Sequence, residues 1–172
     1  DIWKWGETTH LALEPGEEGL HGSRVSLDMA SVGATVNIML AASLIPGQTI
    51  IETAAKEPHI VDLANFLNTM GARITGAGTD TIKIKGVNSL RGGTYAIIPD
   101  QIEAGTYMAA VTAAGGNVLV QNVIPKHMEC ITSKLQEMGA RITNYDDAIR
   151  VIRIRPLRKS TAKTRPNPGL PT

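Results

Sequence analysis

The sequence contains little cysteine and few aromatic residues: its 172 residues include one Cys, one Phe, two Trp and three Tyr. A single cysteine excludes an internal disulfide framework and fits a reducing compartment. So few aromatic residues argue against nucleic-acid modules that stack bases on aromatic rings. The formal net charge is only +1, and no apolar run is long enough to cross a membrane. The 42% of hydrophobic residues instead predicts a folded chain of one or two domains.

A short motif, SVGAT at residues 31–35, lies between a strand-like run and a long apolar run. Ser31 has the side chain of a helix N-cap, and Gly33 leaves room for close approach of a ligand. Free backbone N–H groups at a helix start attract anions. The motif therefore predicts binding of a phosphorylated ligand, with helix capping alone as the alternative.

The second feature is an internal repeat, in which MGARIT at 70–75 recurs at 138–143. Each copy follows a stretch with apolar residues at three-and-four spacing, which is typical of a half-buried helix. Upstream, we match residues 33–35 with residues 104–106. So long a period exceeds that of a simple solenoid and suits a duplicated subdomain.

Each copy is predicted to run strand, buried helix, strand, amphipathic helix, strand, strand. The helices at 32–44 and 102–114 have no polar face, so we expect them to be enclosed and the most buried. A third unit is predicted to start at residues 162–165, with Thr172 at its cap position, so we expect an excerpt of a longer protein. The predicted elements are 24–28, 32–44, 48–54, 58–70, 72–77 and 80–86 in unit one, and 94–98, 102–114, 117–122, 126–138, 140–145 and 148–155 in unit two.

Other candidate residues have simpler interpretations. Cys130 lies inside an amphipathic stretch and is interpreted as a packing residue. The four histidines show no metal-ligand spacing, so no metal site is expected. The run Arg150–Arg165 has seven basic residues and no acidic one, and its alternation predicts a solvated edge strand rather than a nucleic-acid stripe. Glu57 and Asp100 precede predicted helices, where each either stabilises the helix start or faces a ligand.

Several longer segments resemble the UDP-N-acetylglucosamine enolpyruvyl transferase (carboxyvinyltransferase) family, within the enolpyruvyl transferase superfamily. The similarity covers about residues 20–172 and is specific, because the motifs occur together, in order and at the family's spacing. They are SVGAT, AAKEPHIVDLANFL, GAGTDTI, PDQIEAGT and KTRPNPGLPT.

The resemblance implies an inside-out α/β barrel fold with repeated βαβαββ units and enclosed helices, incomplete in this chain. It also implies that residues 1–98 are part of a first barrel domain and residues 99–172 part of a second, with the active site in the cleft between them. The missing remainder of the protein, in the same chain or as a companion chain, would complete the fold.

The family reaction transfers the enolpyruvyl group of phosphoenolpyruvate to the 3'-hydroxyl of UDP-N-acetylglucosamine, the first committed step of peptidoglycan synthesis in the cytoplasm. The resemblance implies no cofactor, no metal, and no nucleic-acid or membrane partner. It assigns substrate binding to Met29, Ala30, Ser31, Val32, Gly33 and Thr172, and it places the acidic Glu57 and Asp100 at the cleft.

This sequence departs from the family pattern at two positions, since Met29 and Gln101 stand where many relatives carry basic residues. None of the family's catalytic residues is expected within this chain, because the catalytic aspartate should follow Thr172. The fragment alone is therefore expected to be inactive. The alternatives are the shikimate-pathway enolpyruvyl transferase, the RNA 3'-phosphate cyclase, or a non-catalytic binding module of the same fold.

Overall fold

A computed structural model describes residues 19–162, 164 and 169, together with the backbone of residues 2–5 and 8–11. The chain divides into two compact units, residues 1–96 and 97–172, and each has its own hydrophobic core. At the start of the first unit, strands β1 (Ile2–Trp5) and β2 (Thr8–Leu11) pair in antiparallel fashion.

The first unit places two helices on a four-stranded sheet with the strand order β3-β4-β6-β5. Strands β3 and β4 are parallel, whereas β6 is antiparallel to both of its neighbours. In chain order, the elements are β3 (Arg24–Ser26), α1 (Val32–Ala42), β4 (Gln48–Glu52), α2 (Pro58–Thr69), β5 (Arg73–Thr75) and β6 (Thr81–Lys85).

Alternation and helical spacing account for the core of this unit. Ile82 and Ile84 of β6 point to one face of the sheet and are fully buried, as strand geometry requires of residues two apart. On α2, the buried residues are Ile60, Ala64 and Leu67, which share one helical face. The buried face of the sheet is therefore covered by the apolar stripes of the helices.

The second unit repeats this arrangement around a three-stranded sheet with the order β7-β9-β8, in which β9 is antiparallel to both neighbours. A short 3-10 helix, Pro125–Met128, leads into α4. The elements are α3 (Gln101–Ala114), β7 (Gly116–Gln121), α4 (Glu129–Glu137), β8 (Arg141–Asn144) and β9 (Ala148–Arg153).

The hydrogen bonds show that α2 and α4 end in the same way in the two units. Gly71 and Gly139 end α2 and α4 with φ values of 106° and 108°, a conformation that favours glycine. After them, the N–H of Ala72 donates to the Leu67 carbonyl and the N–H of Ala140 donates to the Leu135 carbonyl, both at 3.0 Å. The repeated MGARIT sequence therefore encodes the same helix stop and strand start twice.

The register between the two apolar helices differs from the one predicted. Ser31 and Asp100 are both N-caps, so the two helices match when Ser31 is aligned with Asp100. In this alignment Ser43 falls on Thr112, and their buried hydroxyls donate to the carbonyls of Met39 and Met108 at 2.7 and 2.8 Å. Thr35 therefore corresponds to Ala104, and the predicted match of residues 33–35 with residues 104–106 is wrong.

The strand predicted at residues 94–98 is absent from the structure, where this stretch is irregular. In this stretch the side chain of Tyr95 contacts α2 of the first unit. The Tyr95 hydroxyl donates to Asp62 Oδ1 at 2.7 Å, and the ring packs against Phe66 with centroids 5.4 Å apart. The counterpart of β3 is therefore missing from the second sheet.

Two further expectations about exposure have different outcomes. The enclosure of α1 and α3 in the complete protein stays a prediction; in this chain α1 buries Thr35, Met39 and Ala42, and α3 buries Ala104, Gly105, Met108 and Thr112, the most of any described helix. Each apolar helix covers a single sheet and leaves its other face open, as Tyr107 of α3 shows with 58% exposure. The basic strand β9 is not an edge but the central strand of its sheet, with Ile149 and Val151 buried.

Candidate functional site

The candidate site is the N-terminal turn of α1. Ser31 has an extended backbone, and its Oγ accepts the N–H of Ala34 at 3.3 Å, as an N-cap does. Its carbonyl accepts the N–H of Thr35 at 3.0 Å. The first N–H groups of a helix have no partner inside the helix. Those of Val32 and Gly33 also have no partner among the described residues, so they are available to an anion.

The space beside Gly33 is open. A Cβ placed on Gly33 would meet no atom within 4 Å, so nothing in the described chain covers this position. Met29, two residues before the cap, is 73% exposed, and Ala30 beside it is half-buried. The predicted residues 29–33 therefore form one continuous and accessible turn that presents two N–H groups.

A second loop lies against this turn. Because β3 and β4 are parallel, the segments that follow them begin at the same edge of the sheet. The loop after β4 is attached to α1 by Thr35, whose Oγ accepts the N–H of Ala55 at 3.0 Å and donates to the Ser31 carbonyl at 2.7 Å. Sequence reasoning missed this contact, although a hydroxyl on an otherwise apolar helix face could have suggested it.

Glu57 is the N-cap of α2 in this second loop, but its carboxylate makes no capping hydrogen bond with the helix. The structure therefore brings Glu57 to the same sheet edge as residues 29–33. Lys56 precedes it, and its Nζ lies 4.0 Å from Asp80 Oδ2. This edge therefore carries both signs of charge.

The remaining predicted positions are Asp100, Gln101 and Thr172. Asp100 belongs to the second unit, where its Oδ1 accepts the N–H of Ile102 at 2.8 Å, so helix capping accounts for its side chain. Gln101 is the first residue of α3. Thr172 lies outside the described residues.

None of the groups considered for other chemistry belongs to this turn. Within the described part of the chain, no cluster of three His, Cys, Asp or Glu residues could hold a metal ion. No helix there is both long and apolar enough to span a bilayer. Cys130 is partly buried on α4. In the second unit, burial and the neighbouring Lys126 lower the pKa of His127.

Comparison with known proteins identifies the family. A family model described as EPSP synthase (3-phosphoshikimate 1-carboxyvinyltransferase) matches residues 4–172, nearly the whole chain. The chain belongs to the EPSP synthase family. The enolpyruvyl transferase resemblance of its motifs is thereby confirmed.

Curated relatives within this family share a more specific name. UDP-N-acetylglucosamine 1-carboxyvinyltransferases from Caldanaerobacter subterraneus and Clostridium botulinum are 60% and 52% identical to the chain, each over 96% of its length. A Staphylococcus aureus protein of the same name is 52% identical over 96% of the chain. The chain spans about 40% of the length of these relatives.

Two solved structures share the fold of this chain at low sequence identity. The enolpyruvyl transferase NikO from Streptomyces tendae is 21% identical with a TM-score of 0.75, and the match covers 89% of this chain and 40% of NikO. EPSP synthase from Acinetobacter baumannii is 23% identical with a TM-score of 0.54, and that match covers 96% of this chain and 39% of the other. These matches agree with the mixed α/β architecture described above.

Proposed function

We propose that the complete protein transfers the enolpyruvyl group of phosphoenolpyruvate to the 3'-hydroxyl of UDP-N-acetylglucosamine. The observation that carries the proposal is the 60% identity, over 96% of the chain, to a UDP-N-acetylglucosamine 1-carboxyvinyltransferase. The open helix start at residues 31–33 is consistent with this, since a diphosphate needs N–H donors and room to approach. Both substrates are cytoplasmic metabolites, so we place the protein in the cytoplasm, where it would begin peptidoglycan synthesis.

The reaction requires three kinds of assistance. The methylene carbon of phosphoenolpyruvate takes a proton, while the sugar hydroxyl loses its proton and attacks the neighbouring carbon. The resulting tetrahedral phospho-ketal then expels phosphate and returns a proton from the methyl group. Cations and N–H dipoles stabilise the phosphate and carboxylate charges during these steps. We assign to this chain the binding of the UDP-sugar and to the remainder of the protein the proton transfers.

Within this chain, Val32 and Gly33 donate their N–H groups to the diphosphate, and Ser31 fixes the turn from which they point. Met29, Ala30 and Thr172 complete the substrate-binding residues, and Glu57 and Asp100 line the cleft. We place the domain boundary after residue 98. Further βαβαββ units, added to those described here, would complete both barrel domains. Those units would cover the open faces of α1 and α3, either within a longer chain or from a companion chain.

The test is the substitution Gly33→Val in the complete transferase that carries this segment. A Cβ at Gly33 meets nothing within 4 Å, so the variant should fold normally while its side chain occupies the position of the diphosphate. Calorimetry should show strongly weakened binding of UDP-N-acetylglucosamine. Gly92→Val is the matched control, because Gly92 is equally open and follows Arg91, whose N–H donates to the Met70 carbonyl at the end of α2. Equal affinities of the two folded variants would refute the proposed site.

The 3-phosphoshikimate reaction is the second candidate, because the matching family model carries that description. The relatives at 52% and 60% identity favour the UDP-sugar. Phosphate release from phosphoenolpyruvate, measured with each acceptor in turn, distinguishes the two. The 172-residue chain alone should release no phosphate with either, since it spans about 40% of the relatives.

A further inference from the structure

Thr35 is a polar residue with no exposed surface, one helical turn after the candidate anion site. Its Oγ donates to the carbonyl of Ser31 at 2.7 Å and accepts the N–H of Ala55 at 3.0 Å. Ala55 is itself buried and lies two residues before Glu57. A single oxygen atom therefore connects the turn that presents Val32 and Gly33 to the loop that carries Glu57.

The second unit shows that the fold does not require this hydroxyl. When the helix caps Ser31 and Asp100 are aligned, the counterpart of Thr35 is Ala104. The N–H of Ala104 donates to the Asp100 carbonyl at 3.1 Å, as that of Thr35 does to the Ser31 carbonyl. Helix α3 therefore keeps this first backbone bond with an alanine, which has no hydroxyl, at the position of Thr35.

A second pair of buried hydroxyls occurs in both units and serves as a comparison for Thr35. Ser43 and Thr112 occupy equivalent positions and donate to the carbonyls of Met39 and Met108. This bond is present in both units, so it accompanies the fold. The side-chain hydrogen bonds of Thr35 are present only in the first unit, whose helix start is the candidate binding turn. We therefore associate them with the site and not with the fold.

We infer that Thr35 is a positioning residue for the UDP-sugar: its hydroxyl holds the Ser31–Gly33 turn against the Ala55–Glu57 loop before the ligand arrives. This inference rests on the function proposed above. Thr35 itself is buried and does not contact the ligand. Holding both segments in place lowers the ordering cost of binding, because the N–H groups of Val32 and Gly33 need not be reoriented.

The test uses the complete transferase with the substitutions Thr35→Val, Thr35→Ser and Ser43→Ala. Thr35→Val keeps the side-chain shape but removes both hydrogen bonds, so the Kd and KM for UDP-N-acetylglucosamine should rise about tenfold or more. The KM for phosphoenolpyruvate should stay unchanged. Thr35→Ser keeps the hydroxyl and should restore UDP-sugar binding. Ser43→Ala, which removes a buried hydroxyl from the same helix, should lower the urea midpoint without changing the affinity.

Three results would overturn the inference: wild-type affinity in Thr35→Val, an equal loss in Ser43→Ala, or no recovery in Thr35→Ser. If Thr35→Val fails to fold, Thr35→Ala carries the same test, because it copies the Ala104 of the second unit. The Gly33→Val variant distinguishes a wrong binding site from a wrong role for Thr35. A Gly33→Val variant that binds the UDP-sugar normally refutes the proposed site. If Gly33→Val loses binding while Thr35→Val keeps it, only the role of Thr35 is refuted.

Discussion

A lysine at position 29 should tighten binding of the UDP-sugar. Met29 lies two residues before the cap of α1, and its side chain is 73% exposed, so a new charge there would interact with the ligand largely through water. At ~7 Å in water, two unit charges attract by about 0.6 kcal/mol. A diphosphate with about two negative charges doubles this, and ordering the lysine side chain offsets part of it. We therefore expect Met29→Lys to bind UDP-N-acetylglucosamine about threefold to fivefold more tightly.

The assay is calorimetric titration of the complete protein at two ionic strengths, with Met29→Gln and Met29→Glu alongside. Met29→Gln is the neutral control of similar length and should bind like the wild type. Met29→Glu should weaken binding by a factor similar to the gain from lysine. Both changes should shrink at high salt, since the Debye length falls from about 10 Å at 0.1 M to about 3 Å at 1 M.

The sign of the effect is the decisive result. If the lysine and glutamate variants bind the UDP-sugar equally well, the diphosphate is not near residue 29 and the α1 turn is not its site. Different affinities that persist unchanged at high salt would indicate an altered turn conformation instead of a charge effect, and would also contradict the reasoning.

Two further predictions concern stability. A Cβ at Gly86 would collide with the carbonyl group of Ile45, so Gly86→Ala should lower the free energy of unfolding by about 3 kcal/mol in urea titrations, whereas Gly92→Ala, with open space around it, should change it little. The hydrogen bond from the Tyr95 hydroxyl to Asp62 raises the pKa of Tyr95 above its usual value. The neutral phenol therefore stabilises the fold at lower pH, and this contribution to stability is lost as the pH rises through that pKa. The urea midpoint of the wild type should therefore fall above about pH 10, and Tyr95→Phe should remove that part of the fall; an identical pH profile in both would contradict the assignment.

Local features of the sequence predicted the elements well. The start of α1 followed from Ser31, and the stops of α2 and α4 followed from Gly71 and Gly139. These features act within one helical turn, so the sequence carries them directly. The repeat was visible for the same reason, because its MGARIT copies encode identical local bonds.

The errors arose where distant contacts decide the structure. Residues 94–98 have the composition of a strand, but Tyr95 contacts Asp62, far earlier in the chain. The alternating pattern of β9 could not distinguish a central strand from an edge strand, because both bury one face. The apolar character of α1 and α3 indicated faces that require covering, but it could not tell which elements provide the cover.

The candidate site was predictable in part. Residues 29–33 and Glu57 were named from the sequence, and the parallel pairing of β3 with β4 brings both segments to one sheet edge. The role of Thr35 could not be predicted, because its Oγ accepts the N–H of Ala55, which lies on a separate loop. Asp100 was named for the right local reason, since it caps α3.

The missing counterpart of β3 has a practical consequence for anyone who excises the second unit as a scaffold. Among the described strands, β7 pairs only with β9, and its Val118 and Leu119 are exposed. An uncovered strand edge is a template for aggregation during expression and concentration. A lysine in place of Val118 or Leu119 would disfavour pairing of that edge with another chain. A genetically fused fourth strand, parallel to β7 as β3 is to β4, would cover it.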